Sequence, residues 1–169
     1  MRRLLGKDGP AVQPIGLGGM PLSIQGRPDE RIGVAVIEAF IAAGGDLLDT
    51  AITYCLDDSD LGHNERLIAK ALARSGARAV VVATKGGLTR PNGRREVDGD
   101  PRWLRTCCER SVANLGGPIA LYYLHAVDPA IPLADSVGEL ARLKQEGKIR
   151  AIGLSNVDAK QIRGALLIT

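Results

Sequence analysis

Short apolar runs recur along the chain, and each is followed by a stretch with helical spacing. The runs are 14–18, 46–49, 79–83, 119–124 and 150–154. Several are apolar throughout rather than alternating. Strands buried on both faces have that pattern, so it predicts a parallel sheet covered by helices. The first helix is predicted over 29–43, with Ile32, Val36, Ile37, Phe40 and Ile41 as its apolar stripe and Gly44-Gly45 as its stop. The second runs over 64–74 on Leu67, Ile68, Ala71 and Leu72. The third opens on Asp100 as N-cap with Pro101 behind it and ends at Leu115. The fourth covers 133–146, with Leu140 and Leu143 inward and Gly147 as its stop. The fifth starts near Asp158 and reaches the chain end.

Strand starts near 15, 46, 79, 119 and 150 lie 31, 33, 40 and 31 residues apart, the spacing of βαβ units. Five sequential βα units fit either a doubly wound sheet or a (β/α)8 barrel. The first βα turn, Gly18-Gly19-Met20-Pro21, lacks the G-x-G-x-x-G spacing of a dinucleotide-binding turn, which lowers the doubly wound option. The longest connection, 86–99, reads first as a solvated loop and second as a substrate-facing one.

Composition narrows the function classes. Of 169 residues, 45% are hydrophobic and 24% charged, enough for a core and against disorder. No apolar run spans a bilayer. Residues 1–7 lack the apolar stretch of a signal peptide. A pI of 8.9 without a Lys/Arg cluster, and only five aromatic residues, argue against a nucleic-acid partner. Three cysteines, two of them adjacent, form neither a disulfide framework nor a zinc pattern. The expectation is a cytoplasmic protein without a membrane partner and without a metal.

In a parallel α/β array the residues after each strand converge on one face. Asp49, Thr50 and Tyr54 follow the second strand, Lys85 the third, His125 the fourth, and Ser155 and Asn156 the fifth. Each has an ordinary reading: Asp49 as a turn cap, Tyr54 as a half-buried loop aromatic, Lys85 as a solvated strand end, His125 as a satisfied loop histidine, Asn156 as a helix N-cap. Their shared face favours a common task. A phenol alone holds its proton too tightly for acid catalysis at neutral pH; a nearby ammonium stabilises the phenolate, and a carboxylate keeps that ammonium charged and fixed. Asp49, Lys85 and Tyr54 thus form a coherent proton donor for a carbonyl. Neutral His125 would hydrogen-bond the same oxygen. The hydride must come from a nicotinamide cofactor, whose carboxamide suits Ser155 and Asn156.

With these residues in view, the chain resembles the aldo-keto reductases. The resemblance rests on Gly16-Leu17-Gly18-Gly19-Met20, Asp49-Thr50-Ala51 with Tyr54, Gly62-His63-Asn64-Glu65, Ala83-Thr84-Lys85, Leu121-Tyr122-Tyr123-Leu124-His125 and Ile152-Gly153-Leu154-Ser155-Asn156, in the family's order. Segment 3–12 looks like the family's N-terminal hairpin. The resemblance implies a (β/α)8 TIM-barrel fold and NADPH-dependent reduction of aldehydes and ketones, with small carbonyl compounds as substrates. It implies Tyr54 as proton donor, Asp49 and Lys85 tuning it, and His125 orienting substrate. Gly19, Met20, Asp49, Ser155 and Asn156 would hold the nicotinamide. Cys55 stands where the family often has glycine, an exposed and oxidisable thiol. His63 reads as a loop residue.

Eight units would need roughly 270 residues; residues 1–169 hold five as a single partial domain, a barrel truncated to about five βα units. The expectation is an open sheet with edges on strands one and five, poor NADPH binding and slow or absent turnover by the chain alone. The loop that tells NADPH from NADH would lie beyond Thr169, so NADH stays open. A homo-oligomer or a complementing chain would close the barrel. The alternative is a catalytically silent fragment that only associates with other chains.

Overall fold

The computed structural model describes residues 2–7 and 9–168. Met1, Asp8 and Thr169 belong to the charged N-terminal segment, the predicted hairpin and the end of the last predicted helix; they lie outside the described residues. The chain opens on a two-stranded antiparallel pair, β1 (Arg3–Leu4) and β2 (Ala11–Val12), as the hairpin expectation has it. Arg2 and the Gln13 backbone both bond the carboxylate of Asp46, which ties this pair to the foot of the sheet.

Then strands and helices alternate: β3 (Leu17–Gly18), α1 (Glu30–Ala42), β4 (Leu47–Asp49), α2 (His63–Ser75), β5 (Val81–Gly86), a small antiparallel pair β6 (Leu88–Thr89) and β7 (Glu96–Val97), α3 (Pro101–Leu115), β8 (Ile119–Leu124), α4 (Leu133–Gln145), β9 (Ile149–Leu154) and α5 (Ala159–Ala165). Local chemistry sets the helix starts. Asp29, Asp100 and Asp158 each accept a hydrogen bond from a first-turn backbone N–H, and Asp158 forms a capping box with Gln161. Gly76 and Gly116 close α2 and α3 in the left-handed region, at φ 66° and 79°.

The parallel sheet has the order β3-β4-β5-β8-β9. Register pairs Gly18 with Asp49, Asp49 with Ala83, Lys85 with Tyr123, and Tyr123 with Gly153. Because side chains alternate along a strand, these residues share one face. The other face carries Leu48, Thr84, Tyr122 and Leu124 against the helices. Two apolar clusters fill that layer. Val34, Ile37, Leu48, Leu67 and Ile68 form one; Leu104, Cys108, Tyr122, Leu140 and Leu143 are in the other.

Three expectations are corrected. The buried face of α1 runs through Gly33, Val34 and Ile37, while Ile32 and Val36 are exposed. A Cβ at Gly33 would stand 3.0 Å from Leu67 Cδ2, so helix-to-helix approach sets the buried stripe. Helix α5 stops at Ala165 instead of running to the chain end. Segment 86–99 is a structured hairpin excursion, with Leu88 buried and the Trp103 indole N–H donating to its carbonyl at 3.1 Å.

Candidate active site

The backbone ladder runs on past the strand ends and pins the residues that follow. Thr50 N–H donates to Ala83 O at 2.8 Å, His125 N–H to Gly86 O at 2.9 Å, Ser155 N–H to Leu124 O at 3.0 Å, and Gly19 N–H to Asp49 O at 2.8 Å. Tyr54 closes a tight turn, its N–H on Ala51 O at 3.0 Å. Side chains from four strand ends are thereby fixed by main-chain bonds rather than by loop packing.

Lys85 is the centre of the group. It lies inside β5, one residue before its end, and not after it. Its Nζ donates to Asp49 Oδ1 at 2.6 Å, Thr50 O at 2.8 Å and Tyr54 Oη at 3.3 Å, so each of the three ammonium hydrogens has an acceptor. The Lys85 side chain is 8% exposed and that of Asp49 40%, so the pair is dry on the cation's side and wet on the carboxylate's. Lys85 Nζ also stands 5.1 Å from the Tyr54 ring centre and 5.6 Å from that of Tyr123, within cation–π range.

His125 meets Tyr54 edge to face, with ring centres 5.8 Å apart and planes at 81°. Burial pushes its pKa down to about 3, helped by the charges of Lys85 and Arg95. The imidazole is therefore neutral at ordinary pH and retains one N–H to donate. Its Nδ1 is buried and has no hydrogen-bond partner among the described residues. Asn156 is not a helix cap: it sits at φ 55°, two residues before the cap Asp158, and its amide donates to His125 O at 2.8 Å and Ser155 Oγ at 3.2 Å.

A cavity of about 280 Å³ joins these groups. Tyr54, Lys85, His125, Ser155, Asn156 and Met20 line it. Asp49 and Gly19 reach the site from beside it, through Lys85 and the β3 turn. Arg90 and Arg95 line it too, so the 86–99 segment borders the cavity.

Sequence reasoning missed a polar tether. Buried Asn64, in the first turn of α2, accepts from Thr50 Oγ1 at 2.6 Å and donates to Gly19 O at 2.8 Å and Ser23 Oγ at 2.7 Å. A Cβ at Gly19 would come within 2.3 Å of Asn64 Oδ1, which explains glycine there. His63 begins α2 rather than lying in a loop, and its Nδ1 bonds Ser23 Oγ at 2.8 Å. The only signal for this tether was an asparagine and a histidine at a helix start, where polar residues ordinarily read as caps. Cys55 is buried rather than exposed, and burial pushes its thiol up to about 11, which makes it inert.

A sequence model of the aldo/keto reductase family matches residues 14–167. A curated relative, probable aldo-keto reductase 1 of Glycine max, is 35% identical over 165 residues, covering 95% of this chain and 46% of its own length. Among solved structures, the glycerol dehydrogenase of Gluconobacter oxydans superposes with a TM-score of 0.85 at 32% identity, over 99% of this chain and 52% of that one. The holo form of an aldo-keto reductase from Bacillus halodurans gives 0.83 at 28%, over 99% and 54%. The chain thus spans about half the length of the relatives it matches. The match of nearly the whole chain, with the Asp49, Tyr54, Lys85 and His125 cluster on one sheet face, places this chain in the aldo/keto reductase family.

Proposed function

We infer that the protein reduces aldehydes and ketones to alcohols with Tyr54 as proton donor. The observation that carries this reading is the Lys85 ammonium shared between the Asp49 carboxylate and the Tyr54 hydroxyl. When a carbonyl is reduced, its carbon gains a hydride and its oxygen a proton. Tyr54 Oη gives the proton; Lys85, held by Asp49, stabilises the phenolate left behind. The neutral His125 imidazole donates its N–H to the same oxygen and holds it in place while negative charge develops there.

A nicotinamide dinucleotide supplies the hydride when bound, NADPH first and NADH as the alternative. The residues fit a planar ring. Gly18, beside Asp49, leaves open space where a Cβ would stand. Ser155 Oγ accepts from Asn156, so its own hydrogen is free for a carboxamide oxygen. Gly19, Met20 and Asp49 would line the ring's other side. The setting that suits three free, buried thiols is a reducing one such as the cytoplasm.

The test is an NADPH fluorescence titration with an aldehyde assay on the wild type and Tyr54→Phe. Loss of the proton donor lowers kcat on the order of a hundredfold or more; a Tyr54→Phe variant as fast as the wild type would overturn the reading. The open sheet favours a second reading, a silent chain that only associates with other chains. Absence of both saturable NADPH binding and turnover would select it.

A further inference from the structure

The rim of the catalytic cavity is one-sided in charge. Arg90 and Arg95 line it with Lys85, and no carboxylate does. The Lys85 charge is taken up by Asp49. The arginines have no such partner. Arg90 is held by neutral acceptors: its Nη2 donates to Gln25 Oε1 at 2.9 Å and its Nε to Leu56 O at 3.4 Å. Asp58 accepts only its backbone N–H, at 3.1 Å, and the acidic turn of Asp57, Asp58 and Asp60 does not line the cavity. The Arg95 guanidinium, on the exposed arm leading into β7, has neither hydrogen bond nor ion pair among the described residues. Its field nevertheless reaches the His125 imidazole. Two guanidinium forks beside a carbonyl-binding pair match an anion on the substrate, since such forks bind carboxylate and phosphate oxygens in pairs.

We propose that the cavity takes carbonyl compounds bearing a carboxylate or a phosphate, with the anion on Arg90 and Arg95 and the carbonyl oxygen at Tyr54 and His125. This rests on the carbonyl-reduction reading, but it is separable from it by experiment. Binding of para-carboxybenzaldehyde is compared with that of benzaldehyde, and binding of glyceraldehyde phosphate with that of glyceraldehyde, by calorimetry on the full chain, with turnover measured alongside. The two pairs distinguish the carboxylate from the phosphate. The charged member of at least one pair binds roughly tenfold more tightly, an advantage that shrinks as salt is raised. Arg95→Gln removes most of it; because Arg95 holds no other residue, this variant keeps its fold. Arg90→Gln is the second variant.

Equal affinities within both pairs, or a preference that survives both substitutions, would overturn the proposal. Survival of the preference together with weakened NADPH binding would assign the arginines to the dinucleotide phosphates instead. Turnover of benzaldehyde without any charge preference sinks this inference and leaves the reductase reading standing. A charge preference in binding without turnover does the reverse.

Discussion

His125 shows what a single residue gives up to be useful. A histidine free in solution titrates near 6.5, whereas burial and two neighbouring cations hold this one at about 3. Between those values the unfolded chain carries a proton on this group and the folded chain does not. Stability from this group is therefore present above about 6.5 and is lost as pH falls toward 3. Urea unfolding at several pH values in that window, on the wild type and His125→Gln, reads the effect. The stability difference between the two chains should close or change sign as pH falls. Parallel pH curves would mean that the imidazole is not held neutral by the fold. The Lys85 group was legible in sequence, because a carboxylate, a phenol and an ammonium at strand ends already imply one another. The role of Asn64 was not, because its three partners come from residues up to 45 positions away.

At the scale of elements, the site stands on a packed outer layer that contains one costly group. Glu65, in the first turn of α2, is fully buried, and burial pushes its carboxyl above the usual range. It accepts from Thr84 Oγ1 at 2.6 Å on β5 and from Asn114 Nδ2 at 2.8 Å on α3, and so clips α2 to its neighbours right behind Lys85. Glu65→Ala leaves the buried Thr84 hydroxyl and the half-buried Asn114 amide without their acceptor and should cost about 2 kcal/mol, on the order of 5 °C in Tm; Glu65→Gln, which can still serve both partners, should cost far less. A thermal melt of both variants checks this, and a Glu65→Gln loss as large as that of Glu65→Ala would overturn it, because glutamine keeps the volume and can still bond both partners. The strands and helices that carry this layer were readable from periodicity, with β8 found at its observed bounds. Misreadings arose where tertiary contact overrides local pattern. Gly33 brings α2 close and turns Ile32 and Val36 outward. The strands β6 and β7, two residues each, are too short for a period to show.

At the largest scale, the sheet formed by the described residues leaves two edges. On one side is β3, only two residues long; on the other is β9, with six. Neither has a second neighbour within the described residues. A strand of six residues with unpaired N–H and C=O groups is a template for another chain, and a two-residue edge is not. The apolar surface near β9 adds to this: Ile162, Leu166 and Leu167 are exposed beyond it, and Ile152 and Leu154 line an apolar cavity with Ile162 and Leu166. A 169-residue polypeptide of this sequence should therefore self-associate through the β9 side, because pairing there buries both the edge and the apolar cavity mouth. Sedimentation velocity across a dilution series, with a hydrophobic dye as second readout, measures it. Association that strengthens with concentration, and falls when Leu166 and Leu167 are both replaced by lysine, is the expected result. A monomer at every concentration, without dye binding, would show that the β9 edge is protected by other means and that the face carrying Asp49, Lys85 and His125 is held in shape by these five strands alone.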